Sequence, residues 1–270
     1  MRRAGYGFLL MIDLHTHVLP GIDDGPPDTV GSVAMADLAA ERGTRSLVAT
    51  PHVRDDHPRV RIEEIRERAA ALNRIVRDYG IDVFVLPGAE LSISSAVHLD
   101  DEQLDMITLG GNGRDLLIET PHGPLPSVFE DLIDRIVERG FRVTLAHPEL
   151  NPTLQKDPDR LGRMIDRSAV LVQVTGASFI RKRRSGTRVL AVELLERGWA
   201  HVIASDAHAT EWRPPDLAEG VEAARRAMPE AAAEIDWMVT AAPLAIVQGV
   251  ELPPRPARGS ARRGLRVPWR

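Results

Sequence analysis

Short apolar runs alternate along the chain with longer stretches in which apolar and polar residues mix. The runs cover residues 10–14, 46–49, 83–86, 116–118, 143–146, 171–174 and 202–204. They are apolar on both faces, as strands of a parallel sheet covered by helices are. The stretches between them, 28–42, 60–79, 127–139, 159–167 and 187–197, read as helices. Gly43, Gly80, Gly140 and Gly198 each follow such a stretch and suit the left-handed position that ends a helix. Asp28 and Ser127 read as N-caps. Residues 91–114 read as an irregular link, and a helical pair over 216–248 closes the domain. No internal repeat is seen.

Seven strand-like runs with helical crossovers predict a single α/β domain over residues 11–250. Closed on itself, it would be a seven-stranded relative of the eight-stranded β/α barrel. An open doubly wound sheet is the alternative, and no Gly-x-Gly-x-x-Gly follows any strand to support dinucleotide binding. Residues 1–10 read as an extension, with Met11 a possible natural start. Residues 251–270 read as a basic tail, disordered from Pro253 onward because Pro, Arg, Gly and Ser dominate it.

The strand ends carry the chemistry. The first run leads into His15-Thr16-His17, the second into Pro51-His52 and the third into Pro87-Gly88-Ala89-Glu90. The fourth ends at Glu119, the fifth at His147-Pro148-Glu149 and the seventh at Ser205-Asp206-Ala207-His208. In parallel α/β folds these ends converge on one site. The chain has no Cys, which excludes disulfides, thiolate zinc ligands and a Cys nucleophile. Imidazoles and carboxylates without thiols suit Mn, Fe or Zn in a hydrolytic site. Asp24 lies in an Asp-Gly turn, and its spacing alone favours a turn role. His57, His98 and His201 read as structural or solvated, with His122 the exception to watch.

The charge balance narrows the partners. With 34 basic and 39 acidic side chains the net charge is −5, which argues against a general nucleic-acid binder. Residues 252–270 hold six Arg and no acid, so the tail could touch anionic lipid or an acidic partner. The apolar run at 8–12 is interrupted by Asp13 and is too short to span a bilayer, and a cytoplasmic location is expected.

The motifs, taken together, resemble a known family. Ile12-Asp13-Leu14-His15-Thr16-His17 followed by Leu19-Pro20-Gly21-Ile22-Asp23-Asp24-Gly25 is similar to the opening of the PHP-domain protein-tyrosine phosphatases of the CpsB/CapC/YwqE type, from bacterial capsule and exopolysaccharide systems. The similarity continues through Val48-Ala49-Thr50-Pro51-His52, Leu86-Pro87-Gly88-Ala89-Glu90, Leu117-Ile118-Glu119, Leu145-Ala146-His147-Pro148-Glu149 and Val202-Ile203-Ala204-Ser205-Asp206-Ala207-His208. The resemblance implies a distorted seven-stranded barrel and a centre of two or three divalent ions, manganese first, iron or zinc next. It implies His15, His17, Asp24, His52, Glu90, Glu119, His147, Asp206 and His208 as ligands, Glu90 as the bridging carboxylate, and Arg213 as a phosphate-binding group. In a metal-assisted hydrolysis Asp206 or His208 could also assist proton transfer to the leaving phenolate.

The implied reaction is hydrolysis of phosphotyrosine on an autophosphorylating bacterial tyrosine kinase. The chain departs from the family at Leu150, where the resemblance calls for a second phosphate-binding Arg. Arg54 or the Arg181-Lys182-Arg183-Arg184 cluster could replace it. The alternatives are a phosphoesterase for small phosphate esters, or a weakly active metal-containing protein that binds a membrane-associated kinase.

Overall fold

The computed structural model describes residues 10–259. Among these are nine strands: β1 Met11–Thr16, β2 Thr44–Ala49, β3 His52–Val53, β4 Phe84–Pro87, β5 Glu90–Leu91, β6 Asp115–Glu119, β7 Arg142–Ala146, β8 Leu171–Thr175 and β9 Val202–Ala204. They form two sheets, ordered β1-β2-β4 and β3-β5-β6-β7-β8-β9, with every pair parallel. The two sheets replace the closed seven-stranded barrel expected from the sequence.

The seven apolar runs are all strands, but two of them break. Pro51 separates β2 from β3, and a proline has no N–H to give a ladder. Gly88 and Ala89 separate β4 from β5. A Cβ on Gly88 would sit 2.8 Å from Val48 Cγ1, so this backbone passes where a side chain has no room. Beyond each break the strand pairs into the second sheet. On the opposite side the end of β1 meets the segment after β9. The Asp206 N–H donates to the His15 carbonyl (2.9 Å) and the His17 N–H to the Ala207 carbonyl (2.8 Å). Leu14, Val48, Leu117, Ala146 and Val202, from strands of both sheets, share one small apolar cluster. A larger cluster lies between strands and helices.

The helices follow their patterns. Ile62, Ile65, Ala69, Leu72 and Val76 recur at three- and four-residue spacing and are the buried face of the helix Ile62–Asp78. Asp28 caps the helix Thr29–Glu41 by accepting from the Gly31 N–H. Gly43, Gly80, Gly140 and Gly198 have φ of 92°, 71°, 96° and 71°, the left-handed region that spares a Cβ.

Several expectations need correction. Ser127 is not a cap, because the helix Phe129–Glu138 starts two residues later with Val128 at its N-cap. The irregular link contains two short helices, Ile93–His98 and Asp101–Met106, each capped by the residue before it, Ser92 and Asp100. Residues 216–248 form three helices rather than a pair: Leu217–Ala227, Ala232–Met238 and Ala241–Val247. Residues 253–259 are not loose. Arg255 and Arg258 both pair with Glu234, each at 2.7 Å, and Arg255 also donates to the Ala200 carbonyl. Glu234 is 2% exposed, and a buried carboxylate needs such partners. Residues 1–9 and 260–270, including Leu265 and Trp269 of the expected tail, lie outside the described residues.

Candidate metal centre

The site assembles where the strands end. His15 lies in β1 and His17 one residue beyond its end, two positions apart in extended chain, so both imidazoles reach the same side. Both imidazoles are fully buried and their Nε2 atoms lie 3.2 Å apart. His52 opens β3, Glu90 opens β5 directly across from it, and Glu119 closes β6. His147 and Asp206 follow β7 and β9 in left-handed backbone, with φ of 38° and 56°. Non-glycine residues adopt this region at a cost, and they cluster at functional sites.

Nine side chains meet there as four overlapping groups able to hold a cation. The groups are His17, Asp24, His52, His208; then His15, His17, Asp206; then His15, Glu90, His147; then His52, Glu90, Glu119. Within each group one donor atom per residue lies within 4.8 Å of the others. These are the nine residues named from the sequence. Three of the groups are wholly buried, while Asp24 leaves the first open, its side chain 45% exposed. Glu90 belongs to two groups. Its Oε2 lies 2.9 Å from His52 Nδ1, 3.3 Å from His15 Nε2 and 3.5 Å from His17 Nε2, and its Oε1 lies 2.9 Å from His147 Nε2.

The donors fit divalent cations. Glu90 Oε2 and His52 Nδ1 are buried and neither makes a hydrogen bond, so two polar atoms face one another without a bond to satisfy them. Protons supply positive charge in the same place. Burial opposes charge on His17, yet the Asp23 hydrogen bond and neighbouring Glu90 raise it to about 10. His147, likewise buried, is raised to about 9 by Glu90 and Asp206. Burial also pushes the Glu90 carboxyl up, but His15, His147 and His17 hold it well below its usual range. Asp206 is lowered despite burial by His15, His147 and Arg213.

Two residues that orient the candidate ligands escaped the sequence reading. Asp23 Oδ2 lies 2.8 Å from His17 Nδ1 and also accepts from the His52 N–H, while its Oδ1 accepts from the Gly25 N–H. Gln173 Oε1 lies 3.0 Å from His15 Nδ1. Partners of this kind aim the other ring nitrogen at a metal and raise its basicity. A signal existed for Gln173, a lone amide inside the buried strand β8. None separated Asp23 from its neighbour Asp24.

Two guanidiniums touch the candidate ligands. Arg54 donates to both Glu119 oxygens, at 2.9 and 3.0 Å. Arg213 pairs with Asp206 and lies 3.2 Å from His208 Nε2. Leu150 follows His147 in a short 3-10 turn, half-buried, and brings no charge. Residues 181–184 are exposed and none hydrogen-bonds a candidate ligand among the described residues. His122 stacks on His147 with centroids 5.3 Å apart, and its Nε2 is 3.8 Å from Glu119. His57 stacks on His52. His201 accepts the Val172 N–H, and burial lowers it to about 4, so it is a neutral structural residue. His98 is exposed and bonds only its own helix.

Residues 11–246 match the family model described as capsular polysaccharide synthesis, CpsB/CapC. The chain belongs to the CpsB/CapC family. The tyrosine-protein phosphatase YwqE of Bacillus subtilis is 30% identical over 230 residues, covering 85% of this chain and 89% of that protein. The tyrosine-protein phosphatase CpsB of Streptococcus pneumoniae is 26% identical over 216 residues, covering 78% and 88%. A crystal structure from work on these two proteins, described there as metal-dependent tyrosine phosphatases, superposes with a TM-score of 0.81 at 28% identity, covering 93% of this chain and all of that one. A β-aspartyl dipeptidase from Fervidobacterium islandicum shares the fold alone, with a TM-score of 0.55 at 13% identity over 93% of this chain and 78% of that one.

Proposed function

We propose that the chain is a metal-dependent protein-tyrosine phosphatase, a phosphomonoester hydrolase acting on a phosphotyrosine protein in polysaccharide synthesis. One observation carries this reading: nine His, Asp and Glu side chains overlap as four cation-capable groups at the strand ends of a CpsB/CapC chain. The relatives' names support the substrate class. His15, His17, Asp24, His52, Glu90, Glu119, His147, Asp206 and His208 would hold the cations, with Glu90 shared between them. Manganese suits this oxygen- and imidazole-rich set without thiols. When bound, such ions supply Lewis acidity to phosphoryl oxygens and acidify water toward neutral pH.

The chain's own groups do the rest. Arg213 and Arg54 stand beside Asp206 and Glu119. With Asp206 and Glu119 engaged as ligands, both guanidiniums would be free to turn to the phosphoryl oxygens and stabilise charge there. Arg54 thereby supplies the cation that Leu150 lacks. Burial lowers His208, with His17 and Arg213 adding to it, and Asp206 is lowered as well. Both are therefore unprotonated near neutral pH, which fits cation ligation and leaves neither a proton to donate to the leaving phenolate. With no Cys in the chain, no thiol nucleophile takes part.

The partner in this reading is an autophosphorylating bacterial tyrosine kinase, met in the cytoplasm. No helix among the described residues is long and apolar enough to cross a membrane. Two of the six tail arginines, Arg255 and Arg258, are engaged by Glu234, which leaves residues beyond 259 for any lipid contact. The deciding assay is phosphate release with added Mn²⁺ from a phosphotyrosine peptide, a phosphoserine peptide and histidinol phosphate, with a chelator control. Chelator-sensitive release favouring phosphotyrosine is expected. Release from histidinol phosphate alone would replace the reading with a small-ester phosphoesterase, and no release from any would leave a binding role.

A further inference from the structure

The groups described so far hold cations and a phosphoryl group, and none of them selects what the phosphate is attached to. Trp212 stands where such a choice is made. The His208 and Ala209 N–H groups both donate to the Arg213 carbonyl, at 2.9 and 3.2 Å, and close the chain into a tight loop. That loop sets the Trp212 ring 5.6 Å from the His208 ring and 5.9 Å from the Arg213 guanidinium. His208 shares its group with Asp24, the one group open to solvent. The indole therefore flanks the open end of the site, and it is 61% exposed despite its size. A large aromatic face left in water beside a polar cluster is a ready contact for another ring, and aromatic pairs gain beyond the area they bury.

We propose that Trp212 is the aryl-binding wall of the site: the ring of phosphotyrosine packs on its exposed face while the phosphoryl group enters between Arg213 and the histidine cluster. The inference rests on the phosphatase reading for its substrate and makes Trp212 a specificity residue for aryl over alkyl phosphates. A phosphoserine side chain has no ring to set against it.

The test compares the manganese-loaded wild type with Trp212→Ala and Trp212→Phe. Binding of phenylphosphonate and methylphosphonate is measured by calorimetry, beside KM and kcat on a phosphotyrosine peptide. The wild type is expected to prefer phenylphosphonate. Trp212→Ala should lose about tenfold in phenylphosphonate affinity, with methylphosphonate affinity and manganese content unchanged, KM raised by a similar factor and kcat kept. Trp212→Phe should recover most of the loss. A phenyl preference that survives Trp212→Ala would overturn the proposal, and so would equal losses for both phosphonates. If the wild type releases no phosphate from phosphotyrosine yet shows the Trp212-dependent phenyl preference, the phosphatase reading falls and the aryl wall stands.

Discussion

Removing Asp23 tests whether the candidate ligands are held by the groups behind them. Its side chain is 1% exposed and accepts from the His52 and Gly25 N–H groups beside its 2.8 Å contact with His17. The rise of His17 from 6.5 to about 10 corresponds to on the order of 5 kcal/mol, shared with Glu90. The Asp23 share is that of a hydrogen bond to a charged group, about 1.5–3 kcal/mol. The two backbone donors add about 1 kcal/mol each. Asp23→Ala should therefore destabilise the metal-free protein by about 3–5 kcal/mol, and Asp23→Asn, which keeps an acceptor, by about 2. The folded-state pKa of Asp23 lies below its ordinary 3.8 and that of His17 above its ordinary 6.5. The carboxylate's contribution is lost as pH falls through its lowered pKa, and the imidazolium's as pH rises through about 10. The gap in urea midpoint between wild type and Asp23→Asn should thus be widest between pH 3.8 and 6.5, where both contributions are whole, and should shrink as pH rises toward about 10. Metal affinity should fall about 10–100-fold. At pH 7 the deficit is at its smaller end, because the variant's less basic His17 also holds its competing proton less tightly. It should widen by pH 9. Equal affinities for the two proteins at pH 9, read by chelator competition, would refute the role of Asp23.

Three further outcomes follow from the geometry. Cation loading at pH 7.5 should release about two protons, since His17 and His147 are raised to about 10 and about 9 and must give up their protons to bind; calorimetry in buffers of different ionisation enthalpy counts them, and a count near zero contradicts the assignment. Arg213→Ala and Arg54→Ala should each lower kcat by about 10²–10³ at unchanged manganese content, and full activity in either removes that arginine from the phosphoryl site. Gly220→Ala would bring a Cβ within 2.5 Å of Gly176 Cα, where two helices cross, and should cost about 1–3 kcal/mol of stability, with activity per folded molecule retained; a denaturation midpoint equal to the wild type's would show that the helices can part freely.

The strands were legible because burial on both faces writes a mostly apolar run, and most runs end where the polar chemistry begins. That juncture made eight of the nine cation-capable side chains readable one strand at a time, while Asp24, in its Asp-Gly turn, was reached only through the family resemblance. What the runs do not carry is lateral. The run through Val48-Ala49 leads straight into Pro51-His52, yet β2 and β3 pair into different sheets, and periodicity does not record which neighbour a strand pairs with. Asp23 and Asp24 are adjacent and chemically identical, so only the turn at Gly25 decides that one faces His17 Nδ1 and the other lies 3.5 Å from His52 Nε2. The order in residues 253–259 depends on Glu234, a partner about 20 residues away, and composition sees only the arginines.

The backbone at His147 and Asp206 shows how the fold serves the site. Each residue occupies a left-handed conformation that costs on the order of 1–3 kcal/mol for a side chain with a Cβ, and glycine would remove that strain. Each is nonetheless pinned there by a backbone bond to a neighbouring strand, His147 N–H to the Gln173 carbonyl and Asp206 N–H to the His15 carbonyl, both at 2.9 Å. The turn at these positions is what aims the imidazole at Glu90 and the carboxylate at His15 and His17. Gln173 also orients His15, and His15 faces both Glu90 and Asp206. The same strands that hold the strained turns therefore hold the groups those turns present. A glycine at either position would relax the backbone and delete a cation-capable side chain, so strain and candidate ligand stand or fall together at both strand ends.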